Sequence, residues 1–403
     1  MKKISAFYLI VFVMACQDSS VEPDNTPNLR ALSSEEMQVS AGTNDFAFDL
    51  FAKLDGAPSE NSFISPLSVS MALGMVLNGA SEETKESILN TIDYSGFTAS
   101  DINQGYHDLT KLLLSMDRKV TLGIANSVWY SQEYKVNQDF AAIIKEQYDG
   151  KIQGLDFASN QAKETINNWV ENKTNKKIKG IIENISQEEV MFLVNAIYFK
   201  GDWTYKFDKS KTHDAPFKTI DGTTVMADMM FSKETTVELF SNSDVQVLNV
   251  PYGNKQFNFT IVAPYSGFDE VIRDLTASQL DEWLGQADSV KVELEIPRFK
   301  MTWKQDLKET LSKMGMKMND FPGLLTTTEE LEITRVIHQT FLDVNEEGSE
   351  AAAATAIGIG LTMAPPSPTR ITIDRPFLFM IREKHSGAIL FIGKLVNPKQ
   401  LEN

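Results

Sequence analysis

Apolar residues recur at spacings of three and four over residues 44–54, 66–79, 83–91 and 102–116. That is the period of helices with one buried stripe. Ser65 before Pro66 marks a helix start, because a serine hydroxyl caps free backbone N–H groups and proline suits the first turn. Residues 121–130 read as a strand and 137–147 as a helix. Residues 160–179 form an amphipathic helical pattern ending near Gly180. From Val190 onward strands dominate, over 190–200, 244–250, 256–263, 289–296, 370–373, 377–381 and 388–392. Helices near 276–285 and 304–315 interrupt them. Phe377 to Ile381 is apolar throughout, the mark of a strand buried on both faces. Helices early and strands late argue an α+β protein.

Residues 343–364 stand apart. Taken as a strand, every second residue from Ser349 gives Ser349, Ala351, Ala353, Thr355, Ile357, Ile359 and Leu361, with no charge and no proline. The other stripe holds Glu350, Ala352, Ala354, Ala356, Gly358 and Gly360. Strand side chains alternate faces, so this segment suits the middle of a half-buried sheet. Its local preference is weak, because the alanines lean helical and the glycines favour neither element. Two readings fit: a flexible linker, or a loop that can become a strand. A linker should separate two domains, yet only about forty residues follow. Their strands need a sheet supplied by the preceding chain.

Length alone allows two or three domains in 403 residues, but no composition break or repeat divides 41–399. At 42% hydrophobic residues a large core forms without disulfides. The net charge of −17 argues against nucleic acid, which demands basic patches, and against anionic membrane surfaces. Lys173, Lys176, Lys177 and Lys179 are the exception. They read as a solvated helix end or a polyanion site.

The first residues read as a processing signal. Lys2 and Lys3 precede the apolar run 6–13, too short to span a bilayer. Val13-Met14-Ala15-Cys16 resembles the bacterial lipobox, with Cys16 as the lipid-modified residue. Cys16 is the only cysteine, so no internal disulfide competes for it. The alternative is an ordinary secretory peptide cut near Ala15. The expected layout is a signal peptide over 1–15, a polar tether over 16–40 and one domain over 41–399. The expected location is the bacterial envelope by lipid anchor, with secretion as the alternative.

Catalytic motifs are missing. There is no Gly-x-Ser-x-Gly elbow, no His-Glu-x-x-His helix and no cysteine cluster. Gly358-Ile359-Gly360 lacks the third glycine of a dinucleotide loop. His107, His213, His338 and His385 are scattered. The expectation is no enzyme, no metal and no cofactor.

Several blocks, in order, carry a family resemblance. They are Asn61-Ser62-Phe63-Ile64-Ser65-Pro66-Leu67-Ser68, then Ile166-Asn167-Asn168-Trp169-Val170 with Thr174 and Ile178. Asn195-Ala196-Ile197-Tyr198-Phe199-Lys200-Gly201-Asp202-Trp203 follows. The hinge Glu346-Glu347-Gly348-Ser349-Glu350-Ala351-Ala352-Ala353 and the tail Asp374-Arg375-Pro376-Phe377 complete the set. Together they resemble the serpins over about 41–399. The resemblance implies an α+β serpin fold: a large central, mostly antiparallel sheet, further sheets, eight or nine helices and an exposed reactive-centre loop over about 346–370. It also implies a monomeric suicide-substrate inhibitor of serine proteases, extending to cysteine proteases. Its cut loop would insert from the hinge as a new strand of the large sheet. Ser65, Ser68, Asn195 and His338 match the polar cluster beneath the sheet centre. Trp203 and Glu350 match the point where the hinge enters, although for Trp203 a plain core role fits equally.

Family spacing from Gly348 puts the scissile bond at Thr362–Met363, with Leu361–Thr362 or Met363–Ala364 as alternatives. No Lys or Arg lies between Gly348 and Pro368, so trypsin-like targets are disfavoured. Elastase-like, subtilisin-like or papain-like proteases fit better. The alternative function is a non-inhibitory serpin that binds or chaperones.

Overall fold

The computed structural model describes residues 25–27, 29–54, 59–186, 188–348 and 369–399. The N-terminal half supplies helices α1 (Ser34–Lys53), α2 (Pro66–Leu77), α3 (Glu82–Thr91), α4 (Ala99–Ser115), α5 (Gln138–Tyr148) and α6 (Asn160–Lys173). Among them run strands β1 (Ser62–Ile64), β2 (Val120–Ser131), β3 (Lys135–Val136) and β4 (Lys151–Leu155). The strand-rich half continues with β5 (Met191–Gly201), β6 (His213–Lys218), β7 (Thr224–Ser241), β8 (Val245–Pro251), β9 (Phe257–Pro264), β10 (Asp288–Pro297) and β11 (Phe299–Asp306). Helices α7 (Phe268–Asp274), α8 (Ala277–Gly285) and α9 (Lys308–Lys313) interrupt it. Strands β12 (Leu325–Thr326), β13 (Ile337–Val344), β14 (Thr369–Thr372), β15 (Phe377–Glu383) and β16 (Ile389–Leu395) close the chain.

Nine strands form one sheet in the order β1-β16-β15-β9-β8-β7-β10-β14, with β6 added on β7. All its pairings are antiparallel except β10 with β14. Strands β9, β15 and most of β16 are buried, as continuous apolar runs require. Helices α1 and α2 lie against β16. There Phe63 stacks on Phe379 and Phe391 at centroid distances of 5.5 and 5.1 Å.

Two smaller sheets matter for the site. One has the order β4-β2-β5, the other pairs β11 with β13. Helix α6 and the segment after it cover β2 and β5 through a second apolar cluster of Trp129, Ile166, Val170, Ile178, Phe192 and Val194. Asn167 fixes that segment. It donates to the Ile182 carbonyl (2.8 Å) and accepts from the Ile182 N–H (2.9 Å).

The structure corrects three sequence expectations. The tether over 16–40 is folded well before residue 41. Asn25 bonds Asp117 (3.0 Å), and α1 begins at Ser34. Ser33 and Glu36 form a reciprocal cap, and buried Glu36 pairs with Arg30 at 2.5 Å, so acidic residues that suggest a solvated tether are the first turn of a helix. The helix over 160–179 stops at Lys173, because Asn175 and Lys176 take positive φ (51° and 63°). The helix over 304–315 shrinks to Lys308–Lys313. Residues 299–306 are instead a strand, with Phe299, Met301 and Trp303 buried at a period of two.

Val39 is buried in α1 and would be lost with the cap. A chain starting at residue 41 should therefore unfold in urea with about 3 kcal/mol less stability than one starting at residue 25. Equal midpoints would mean that residues 25–40 contribute nothing.

Candidate functional site

Strands β5 and β13 lie side by side, but no ladder joins them among the described residues. Strand β5 is bonded on its other edge to β2, with Asn195 opposite Asn126. Strand β13 is bonded on its other edge to β11, with Thr340 opposite Trp303. Both run toward the same pole, since each ends at the turn around Gly348. Two parallel strands thus present facing edges of backbone N–H and C=O groups. Unpaired edges are templates for another strand.

The first turn of α2 holds these edges from beneath. The Ser65 N–H donates to Nε2 of His338 on β13 (3.0 Å). The Ser65 hydroxyl donates to the Leu390 carbonyl (2.6 Å) and accepts from the Ser68 N–H (3.2 Å). The Ser68 hydroxyl donates to Oδ1 of Asn195 on β5 (2.5 Å), and Asn195 donates to Asn126. Thr340 adds a bond to the Phe63 carbonyl (2.6 Å). One helix N-terminus therefore clamps both sides of the gap. His338 is 4% exposed, and desolvation depresses its pKa to about 3. Its ring is neutral, and acceptance at Nε2 places the proton on Nδ1.

At the upper pole, residues 345–348 make a tight turn. The Asn345 N–H donates to the Gly348 carbonyl (3.0 Å) and the Gly348 N–H to the Asn345 carbonyl (3.2 Å). Gly348 has φ of 146°, and a Cβ there would stand 1.9 Å from the Gly201 carbonyl oxygen. Only glycine meets both conditions. Trp203 docks this turn on the end of β5. Its backbone N–H donates to the Glu347 carbonyl (2.9 Å) and its indole N–H to the Asn345 carbonyl (2.8 Å). The indole stacks on Tyr252 with centroids 4.3 Å apart. Trp203 is thus both a core residue and the anchor of the turn at 345–348. Glu346 and Glu347 are buried too. Thr212 donates to Glu346 (2.7 Å) and Lys209 pairs with Glu347 (2.8 Å), which is how carboxylates survive burial.

At the lower pole, Arg335 crosses the gap. It pairs with Glu189 ahead of β5, donates to the Asn184 carbonyl (2.9 Å) and lies 5.3 Å from the Phe192 ring centroid. Lys304 on β11 bonds Glu183 (2.7 Å), so the segment after α6 spans both sheets. After the loop, β14 is anchored on β10, where Arg370 and Thr372 reach the buried Glu295 (2.9 and 3.0 Å).

Four of the expected residues thus form one cluster, although Asn195 bonds Ser68 rather than His338. Trp203, Glu347 and Gly348 meet at the upper turn. Ser349, Glu350, Ala351, Ala352, Ala353, Leu361, Thr362, Met363, Ala364 and Cys16 lie outside the described residues. The sequence reading missed Asn126, Thr340, Asn345 and Arg335. Thr340 had a signal, being two residues from His338 and hence on the same strand face. The gap lies between the β4-β2-β5 and β11-β13 sheets, outside the nine-stranded sheet.

The serpin (serine protease inhibitor) family model matches residues 41–398. Leukocyte elastase inhibitor of Bos taurus is 34% identical, over 90% of this chain and 100% of its own. Among solved structures, native tengpin, a thermophilic serpin, aligns with a TM-score of 0.82 at 28% identity, covering 93% of this chain and 97% of tengpin. Human thyroxine-binding globulin, in complex with its hormone, aligns with a TM-score of 0.81 at 30% identity, covering 91% and 100%. The chain belongs to the serpin family.

The depressed His338 pKa sets a pH dependence. The unfolded chain takes up a proton near the ordinary value of 6.5, and the folded one only near 3. This contribution is therefore complete above pH 6.5 and is lost as pH falls toward 3. Between pH 7 and 5 the loss is about 2 kcal/mol. His338→Gln keeps an acceptor for Ser65 but does not titrate. Its urea stability should fall less than that of the native chain, by about that amount, over the same interval. Parallel profiles would assign the acid sensitivity elsewhere.

Proposed function

We propose that the chain is an inhibitory serpin, a suicide substrate for proteases whose cut loop becomes a strand between β5 and β13. One observation carries this reading. Two facing edges that no ladder joins among the described residues have at their upper end a turn, residues 345–348, from which the chain continues. The residues that follow carry the small and apolar stripe from Ser349 to Leu361. A strand descending from Gly348 runs antiparallel to β5 and β13 and satisfies both edges at once. A charged or bulky residue at Ser349, Ala351 or Ala353 would enter the interior unpaired, at a cost of several kcal/mol.

The reactive bond is Thr362–Met363, with Leu361–Thr362 and Met363–Ala364 as neighbours. Thr, Met, Leu and Ala suit the pockets of elastase-like, subtilisin-like or papain-like proteases. The similarity to an elastase inhibitor supports the first of these. Lipidation at Cys16 places the inhibitor on the bacterial envelope. Its alternative, secretion, is separated by Cys16→Ser, which should move the protein from the membrane to the soluble fraction only if the anchor exists.

A second reading, a non-inhibitory carrier, is favoured by the likeness to thyroxine-binding globulin. The two readings differ in energetics. Elastase or subtilisin mixed with the native chain should give a covalent band on a denaturing gel. The released C-terminal peptide should begin at Thr362, Met363 or Ala364. The cleaved chain should melt well above the intact one. Ala351→Arg should be cleaved without forming the covalent band. Cleavage with neither complex nor gain in melting temperature favours the carrier.

A further inference from the structure

Helix α7 spans seven residues, Phe268–Asp274, and buries none of them. A surface helix normally sets its apolar stripe on the core. Here the stripe is Phe268 and Ile272, one turn apart and so on one face. Both line a cleft of about 480 Å³. Phe51 at the end of α1 and Trp303 on β11 line it too. So do Ser62 on β1 and Lys394 on β16, which stand opposite each other in their ladder. A cleft of this size with apolar walls and a few polar groups suits a small organic molecule.

Charge narrows the choice. Among the described residues three bases line the cleft. Lys304 turns its ammonium to Glu183 (2.7 Å), and exposed Arg273 pairs with Asp274 (3.0 Å). Lys394 is half-buried. Desolvation lowers its pKa, although Asp269 and Glu60 pull it upward. Asp269 is exposed and Glu60 is partly so. An ammonium in such a wall is stabilised by an anion brought against it, because the wall that removes water also weakens screening.

The cleft also adjoins the polar clamp. Trp303 sits opposite Thr340 in the β11–β13 ladder. Its ring stands edge-on to His338, with centroids 6.3 Å apart. The residue after Ser62, Phe63, gives its carbonyl to Thr340. Trp303 and β1 are therefore common to the cleft and the clamp.

We propose that this cleft binds a short amphipathic carboxylate, with its apolar body among Phe51, Phe268, Ile272 and Trp303 and its acid group on Lys394, and that occupancy steadies β13. The site needs no cleavage and no strand insertion, so it stands apart from the inhibitory reading.

Calorimetry on the whole chain tests this with octanoate and with octanol, which has the same apolar body and no charge. Octanoate should bind about tenfold more tightly, the size of one charge-assisted contact. Lys394→Met keeps an unbranched apolar stem, and should bring octanoate down to the level of octanol while leaving octanol unchanged. Ile272→Trp fills the cleft from α7, a helix that buries nothing and so tolerates the change, and should abolish binding of both. It also decides the matter if Lys394→Met fails to fold. Saturating octanoate should slow amide exchange of residues 338–340 about threefold in the native chain, by binding the closed form, and not at all in Ile272→Trp. No octanoate binding, equal affinity for octanoate and octanol, or unchanged octanoate affinity in either variant overturns the site. Binding with no change at residues 338–340 overturns its link to β13.

Discussion

The molecule is organised around backbone hydrogen bonds that its described strands do not make. Strands β5 and β13 end at one pole, start at the other, and turn toward each other edges that are left without a ladder. A buried peptide group without a partner costs free energy comparable to a lost hydrogen bond. The surrounding structure holds the gap narrow instead of filling it. Ser65 and Ser68 tie both edges to α2, Trp203 closes the upper end, and Arg335 with Glu189 closes the lower. Each of these ties is local and polar. Among the described residues none spans the length of the gap, and the Ser65 hydroxyl, through the Leu390 carbonyl, ties this clamp to a strand of the nine-stranded sheet.

That division of labour explains where the apolar core sits. The aromatic contacts among Phe63, Phe379, Phe391 and Phe259 belong to the nine-stranded sheet and what packs on it. The gap-bearing sheets rest on it through α2. On their outer side they carry only the smaller cluster under α6. Packing is apolar and aromatic in the nine-stranded sheet and polar along the facing edges of β5 and β13.

Much of this was legible in the chain. Helices such as α2 and α4 announce themselves through the spacing of their apolar residues, and α2 also through its cap Ser65. Buried strands such as β15 do so by unbroken hydrophobicity. Strand β13 was not legible, because two of its inward positions, His338 and Thr340, are polar. Their partners, Ser65 and Phe63, are more than 270 residues away in sequence. Trp303, Leu307, Leu311 and Met314 keep a helical spacing, and only the ladder to β13 shows that the first of them lies on a strand. Glu346 and Glu347 look solvent-exposed by composition. They are buried because Lys209 and Thr212, from a distant loop, meet them. The stripe from Ser349 to Leu361 is a pattern of the sequence alone and lies outside the described residues.

The strand order of the large sheet has a consequence for how the chain is made. Strands β15 and β16 follow every other strand of this sheet in sequence, yet they lie between β1 and β9. Until those strands emerge from the ribosome, α1 and α2 lack β16 to rest on, and β9 has only β8 beside it. A nascent polypeptide of this topology cannot close its centre until residues 377–395 have been added.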